Sequence, residues 1–343
     1  MIASNKREYV FMPKISMKPN QITLFNEVLY KDFETQQLKS LCGASNYRTV
    51  SKSFHNFNLS INGNRSIKQK INWLYSLSTP RTIKTYSGKV IYKFKMNFLT
   101  LTLPSTQAHP TAEITKVCFN QFITEMRQRC NLTNYVWRLE FQKNKNVHYH
   151  IATDCYIDYF FAQKVLNRII NKLNYVDVYQ AKFKKLTLHQ YWNEQSKGKL
   201  DNFEVYKKRF ENGVKCNWTN PHTIDTKNCT SSDSISNYIS KYFSKNDIAA
   251  VRCNALDNEE NSKSLRLWFC SRSLSVLKSI CSYVENTEIN FFELLKNEAS
   301  ARIIDIKYAT CLFFDFNKLS KYYKHLVINC LSSYSHNLGY NSA

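Results

Sequence analysis

Between Arg81 and about Arg272 the chain alternates between period-2 and helical spacing. Asn97-Phe-Leu-Thr-Leu-Thr-Leu-Pro104 alternates strictly. Leu99, Leu101 and Leu103 fall on one side and Phe98, Thr100 and Thr102 on the other, which predicts a strand closed by proline. Thr82–Tyr86 and Lys89–Phe94 flank Ser87-Gly88, a hairpin signal. A helix is predicted from Thr111, as N-cap, to Cys130, with Ile114, Val117, Phe122 and Met126 as its apolar stripe. Asp158 opens a second helix through Val165, Leu166, Ile169, Ile170 and Leu173, and Val176–Phe183 reads as a strand. Residues 184–232 are polar, basic and irregular; Ser231 or Ser232 then caps a further helix, and Leu265–Arg272 is a late strand. Toward the N-terminus, Asn20–Ser40 and Ser66–Leu77 read as helical. The fold class expected is α+β, a central antiparallel sheet flanked by helices. A basic, partly helical extension (1–80) precedes the main domain (81–275), and a mixed C-terminal region (276–343) follows it.

Val136–Thr153 reads as a hairpin whose second strand carries His148 and His150, two residues apart and therefore on one face. With Asn144-Lys145-Asn146 as a three-residue loop and Asn146 left-handed, Lys143 pairs with Val147, Gln142 faces His148 and Glu140 faces His150. Two imidazoles with a nearby carboxylate supply the donor set of a divalent-metal site. The alternative is a surface hairpin with two solvated histidines. Further on, Tyr238-Ile-Ser-Lys-Tyr242 puts two phenols at i and i+4 of a helix. That spacing also suits a half-buried aromatic contact.

Composition selects among partners. Lys plus Arg is 48 against 26 Asp plus Glu in 343 residues, a formal charge of +22. Such an excess points to a polyanion, and phosphate neutralisation supplies most non-specific nucleic-acid affinity. No apolar run has transmembrane length, and the N-terminus lacks the apolar core of a signal peptide, so a cytoplasmic location is expected. The 11 cysteines form no C-x-x-C pair, and several lie in apolar stretches, which favours buried thiols over zinc or disulfides. None of the 6 glycines builds a phosphate loop, so strand unwinding falls to a separate helicase.

Taken together, these residues resemble the HUH endonucleases, the rolling-circle replication initiators of single-stranded DNA phages and plasmids. Phe98-Leu-Thr-Leu-Thr102 matches their first motif, His148-Tyr-His150 their second, and Tyr238-Ile-Ser-Lys241-Tyr242-Phe-Ser-Lys245 the two-tyrosine third. Glu140 resembles the glutamate that precedes the histidine pair, and Arg266-Leu-Trp268 the late Arg-x-Trp-Gly strand, with Phe269 in place of the glycine. The usual Asn-Gly of the hairpin is Asn144-Lys145 here. The resemblance spans about residues 82–275. It implies Mn²⁺ or Mg²⁺ on His148, His150 and Glu140, with Tyr238 and Tyr242 as nucleophiles aided by Lys241 and Lys245. It also implies nicking and rejoining of single-stranded origin DNA through a 5′-phosphotyrosine, leaving a 3′-OH for a polymerase, in the cytoplasm of a bacterial host. A relaxase or single-tyrosine transposase of the same superfamily is one alternative, and a non-catalytic basic nucleic-acid-binding protein is another.

Overall fold

The computed structural model describes residues 9–18, 21–31, 38–40, 61–85, 87–196, 203–229, 265–277 and 280–283, with shorter pieces between 292 and 325. In chain order the first elements are β1 (Tyr9–Lys18), β2 (Gln21–Lys31), β3 (Leu38–Ser40), α1 (Ile61–Leu77), β4 (Arg81–Lys84), β5 (Val90–Phe94) and β6 (Met96–Thr102). Next come α2 (Thr111–Ile114), a π-helical turn (Thr115–Phe119), α3 (Asn120–Cys130), β7 (Tyr135–Phe141), β8 (Val147–Thr153) and α4 (Tyr159–Ile170). They are followed by α5 (Tyr175–Phe183), α6 (Leu188–Ser196), α7 (Phe203–Lys215), β9 (Ile224–Cys229), β10 (Trp268–Cys270) and α8 (Arg272–Val276). The last strands are β11 (Ile280–Tyr283), β12 (Arg302–Ile306) and β13 (Ala309–Phe313). The fold is α+β with antiparallel sheets. None of the described helices is long and apolar enough to cross a membrane.

The chain forms two compact units. A terminal unit comprises Met1–Phe54, Tyr75–Thr79 and Arg272–Ala343, and a central unit comprises His55–Leu74 and Pro80–Ser271.

The central unit is built on a five-stranded sheet in the order β10-β7-β8-β6-β9. The alternation in β6 sends Leu99 and Leu101 to the same face as Trp137, Leu139, Tyr149, Ile151 and Ile224. On that face they meet Phe119, Phe122 and Met126 of the π turn and α3, and Val165, Leu166 and Ile169 of α4, in one buried core. Asp158 caps α4 as expected, its carboxylate accepting from the amides of Phe160 (3.0 Å) and Phe161 (3.2 Å). Asn131, left-handed at φ 53°, ends α3. The expected N-cap Thr111 is instead the first helical residue, preceded by Pro110. Its carbonyl accepts the Thr115 hydroxyl at 2.7 Å at the start of the π turn. Gly88, at φ 82°, makes the turn between β4 and β5.

Val176–Phe183, expected to be a strand, is helix α5. The Asn171 carboxamide oxygen accepts from the amides of Val176 (3.1 Å) and Asp177 (3.0 Å), supplying a helix start that β propensity does not foresee. Helical spacing then carries Tyr179 and Phe183 into an aromatic cluster with Tyr191, Phe210 and Trp218. This cluster is the core of a small three-helix insert, α5–α7. Gly213 of α7 lies flat against the Trp218 ring, where a Cβ would overlap it.

The terminal unit is a six-stranded sheet in the order β11-β1-β2-β13-β12, with β3 also pairing β2. Asn20–Ser40, expected to be helical, is strand over Gln21–Lys31. It pairs β1 along Tyr9↔Tyr30 to Lys18↔Gln21 and β13 along Phe25↔Ala309 to Gln21↔Phe313. Partners on both edges override any local helical spacing. Ile15, Met17, Ile22, Phe292, Leu312 and Leu319 form its core.

Candidate metal centre

The other face of the central sheet is polar by the same alternation. Strand neighbours run Arg138–His150–Thr100–Asp225 in one row and Glu140–His148–Thr102 in the next. Glu140, His148 and His150 therefore share a face, as expected, but the register differs by one pair. Glu140 is opposite His148, and Arg138 is opposite His150. The loop is Lys143-Asn144-Lys145, not Asn144–Asn146. The Lys145 amide donates to the Gln142 carbonyl at 2.8 Å, the Gln142 amide donates to the Asn146 carbonyl at 2.9 Å, and Lys145 takes the left-handed turn at φ 68°. Tertiary contacts explain the shift. Asn146 is buried, its side-chain oxygen accepting from the Gln107 amide (2.9 Å) and its NH₂ donating to the Ser105 carbonyl (2.7 Å). The Gln107 side chain in turn accepts from the Val147 amide at 2.8 Å. Asn146 thus anchors the hairpin tip to the segment after β6 and leaves the turn to its neighbour.

The three side chains converge. One ligand atom from each of Glu140, His148 and His150 lies within 4.8 Å of the others. His150 is fully buried, and its Nε2 sits 2.6 Å from Glu140 Oε1. The two imidazoles meet edge to face at 4.6 Å. Each Nδ1 faces a threonine of β6, Thr100 at 3.2 Å from His150 and Thr102 at 3.0 Å from His148. These hydroxyls hold the ring orientations and leave the Nε2 atoms for ligand bonds, the outer-shell arrangement that tunes metal-binding histidines. Thr100 and Thr102 are positioning residues that a search for ligands overlooks, although the strict alternation of β6 already put them on one face.

Burial, then the neighbouring His150, pushes the His148 imidazole down to about 4 against the opposing pull of Glu140, so at neutral pH it is an uncharged ligand. Burial works to raise the Glu140 carboxyl. The hydrogen bond and charge of His150, then His148 and Arg138, outweigh it and leave the group below the usual carboxylate range. Two neutral imidazoles and one carboxylate on a sheet face, with a hard oxygen donor among them, fit a divalent cation that completes its shell with phosphate and water oxygens. Tyr238, Lys241, Tyr242 and Lys245, and the helix expected to carry them, lie outside the described residues.

A search of protein families picks out this segment of the chain. Residues 96–247 match the family Replication-associated protein ORF2/gene II protein. The match to this replication family starts at the first residue of β6 and extends beyond β9, so it takes in Thr100, Thr102, Glu140, His148 and His150. It supports rolling-circle replication initiation as the field of work of this chain, and with it endonuclease action on origin DNA. Comparisons with curated proteins and with solved structures find no match.

Proposed function

We propose that the protein is an HUH-type initiator of the two-tyrosine kind, which nicks and rejoins single-stranded origin DNA. The observation that carries this reading is the Glu140–His148–His150 cluster on one sheet face, inside the segment matched to the replication-associated family. Mn²⁺ or Mg²⁺ bound there would polarise a non-bridging oxygen of the scissile phosphate. The chain's own groups do the rest. His148, uncharged, offers a lone pair; Glu140 supplies negative charge; the threonine hydroxyls hold both rings. The Tyr242 or Tyr238 oxygen attacks phosphorus, the bond from phosphorus to O3′ breaks, and the departing 3′ oxygen takes a proton. A 5′-phosphotyrosine and a free 3′-OH result, and attack by a 3′-OH reverses the step without loss of bond energy. Lys241 and Lys245, each three residues after a tyrosine, would favour the phenolate and hold phosphate. A separate helicase and polymerase would open and extend the strand, in the host cytoplasm.

The test uses a pool of single-stranded oligonucleotides labelled at the 3′ end, incubated with the full chain and Mn²⁺. The expected result is a labelled protein band that survives denaturation, disappears with chelator and is absent from His150→Ala. Label retained only on free DNA would refute the nicking chemistry. Retarded migration without an adduct would favour the non-catalytic binder instead.

A further inference from the structure

On the opposite, helix-bearing face of the central sheet is a cleft of about 580 Å³, within the range of ligand sites. Its walls come from the π turn and α3 on one side and from β7 and the approach to β10 on the other. Phe269 is paired with Trp137 across the β10–β7 ladder, so both project to this face, away from Arg138 and Glu140. The cleft is therefore distinct from the metal centre.

Three features of the lining point to one ligand chemistry. Lys116, Arg127 and Arg266 are exposed cations at the cleft, no carboxylate lines it, and among the described residues none of the three makes an ion pair. Tyr135 and Phe269 are half-buried with faces or edges on the cleft, and the Arg266 guanidinium lies 5.0 Å from the centre of the Phe269 ring. Thr115, Asn120 and Thr124 add neutral donors and acceptors. A lipid or apolar ligand would leave the cations unsatisfied, and a simple anion would not use the aromatic wall. A nucleotide uses both, since bases stack on aromatic and guanidinium planes while phosphate meets the cations. A π-helical turn in the wall fits as well, because such turns concentrate at functional sites. Phe269 stands where the resembled strand pattern has glycine, so the aromatic is a feature of this chain rather than of the pattern.

We infer that this cleft is a second nucleic-acid site, which holds one nucleotide of single-stranded DNA with its base on the Arg266–Phe269 pair and its phosphate toward Lys116 and Arg127. β10 is the edge of its sheet among the described residues, so a strand can pass from one face to the other around it. The choice of DNA rests on the initiator reading; the existence of the site does not.

The experiment uses the full chain and an oligothymidine carrying 5-iodouracil. Parent protein irradiated with long-wavelength ultraviolet light should crosslink at Tyr135 or Phe269, located by mass spectrometry of the peptides. Phe269→Leu combined with Arg127→Gln should weaken oligothymidine binding roughly tenfold or more, as loss of one stacked base does. Phe269→Trp should bind like the parent. Adduct formation with saturating DNA and Mn²⁺ should persist in all of these variants, since the metal face is untouched. If Phe269→Leu lowers the melting temperature, Arg127→Gln with Arg266→Gln, both at exposed positions, carries the affinity measurement. Parent affinity in the cation variants together with no crosslink in either aromatic peptide overturns the site, even where the adduct forms. Absence of any adduct with the crosslink present leaves the site standing and refutes the initiator chemistry instead.

Discussion

Replacing Thr100 with valine keeps the shape of the side chain and removes the hydroxyl that faces His150 Nδ1 at 3.2 Å. Solvent cannot substitute, because His150 is 0 % exposed. The ring loses the contact on Nδ1 and keeps Glu140 at 2.6 Å on Nε2, the nitrogen needed for the metal. Loss of such an outer-shell partner costs roughly 10–100-fold in metal affinity, or about 1.4–2.7 kcal/mol at ~1.36 kcal/mol per tenfold. Mn²⁺ titration followed by the electron paramagnetic resonance signal of the free ion reads this directly. Thr100→Val should bind within that weaker range, and Thr100→Ser, which restores the hydroxyl, should bind close to the parent. Thr102→Val should act in the same direction through His148, whose Nδ1 it faces at 3.0 Å. Thermal melting of the metal-free proteins separates a lost orientation from a lost fold. Parent Mn²⁺ affinity in a folded Thr100→Val protein would refute the assignment of Thr100 as the residue that orients His150.

Four further outcomes are expected. Lys145 occupies a left-handed turn position at φ 68°, so Lys145→Gly should relieve strain and stabilise the chain by about 0.5–1 kcal/mol in urea unfolding. Gly213→Ala drives a methyl group into the Trp218 ring and should destabilise the α5–α7 insert by roughly 1–3 kcal/mol, visible as a shift in tryptophan emission and an earlier melting transition. The folded chain keeps His148 neutral down to about 4, whereas an unfolded histidine takes its proton near 6.5. Stability should therefore fall as pH is lowered through that window, and a His148→Asn chain should lose this part of the slope in denaturant titrations. Tyr238→Phe and Tyr242→Phe should each still form some covalent adduct on a denaturing gel and the double variant none; an adduct lost entirely in Tyr242→Phe alone would leave a single nucleophile.

The polar face of the central sheet was legible because a strand's alternation is a property of its own residues. Thr100 and Thr102, His148 and His150, and Glu140 stay on one side whichever residues they oppose, so a wrong loop register changed neighbours and left the cluster intact. The loop itself was not legible, since the decisive contacts of Asn146 come from Ser105 and Gln107, some forty residues earlier in the chain. Helix α5 was hidden for a similar reason. Its apolar residues suit a strand, and only the Asn171 cap and the Trp218 cluster select the helix. In β2, the ladder that secures Thr23 runs to Cys311, and no local pattern announces a partner at that distance.

That distance has a consequence for synthesis on the ribosome. β1 and β2 emerge first, yet two of their ladder partners, β11 and β13, are among the last strands made. At about 5–20 residues per second, the wait is on the order of half a minute. During it the hairpin is a two-stranded ribbon with open edges, a form that is marginal alone and prone to pair with other chains. The strands of the central sheet, by contrast, are complete once Cys270 has been added. A nascent chain stalled or clipped before Ala309 would thus carry a finished metal-binding sheet alongside an unfinished terminal one, and its β1–β2 edges would be where misassembly begins.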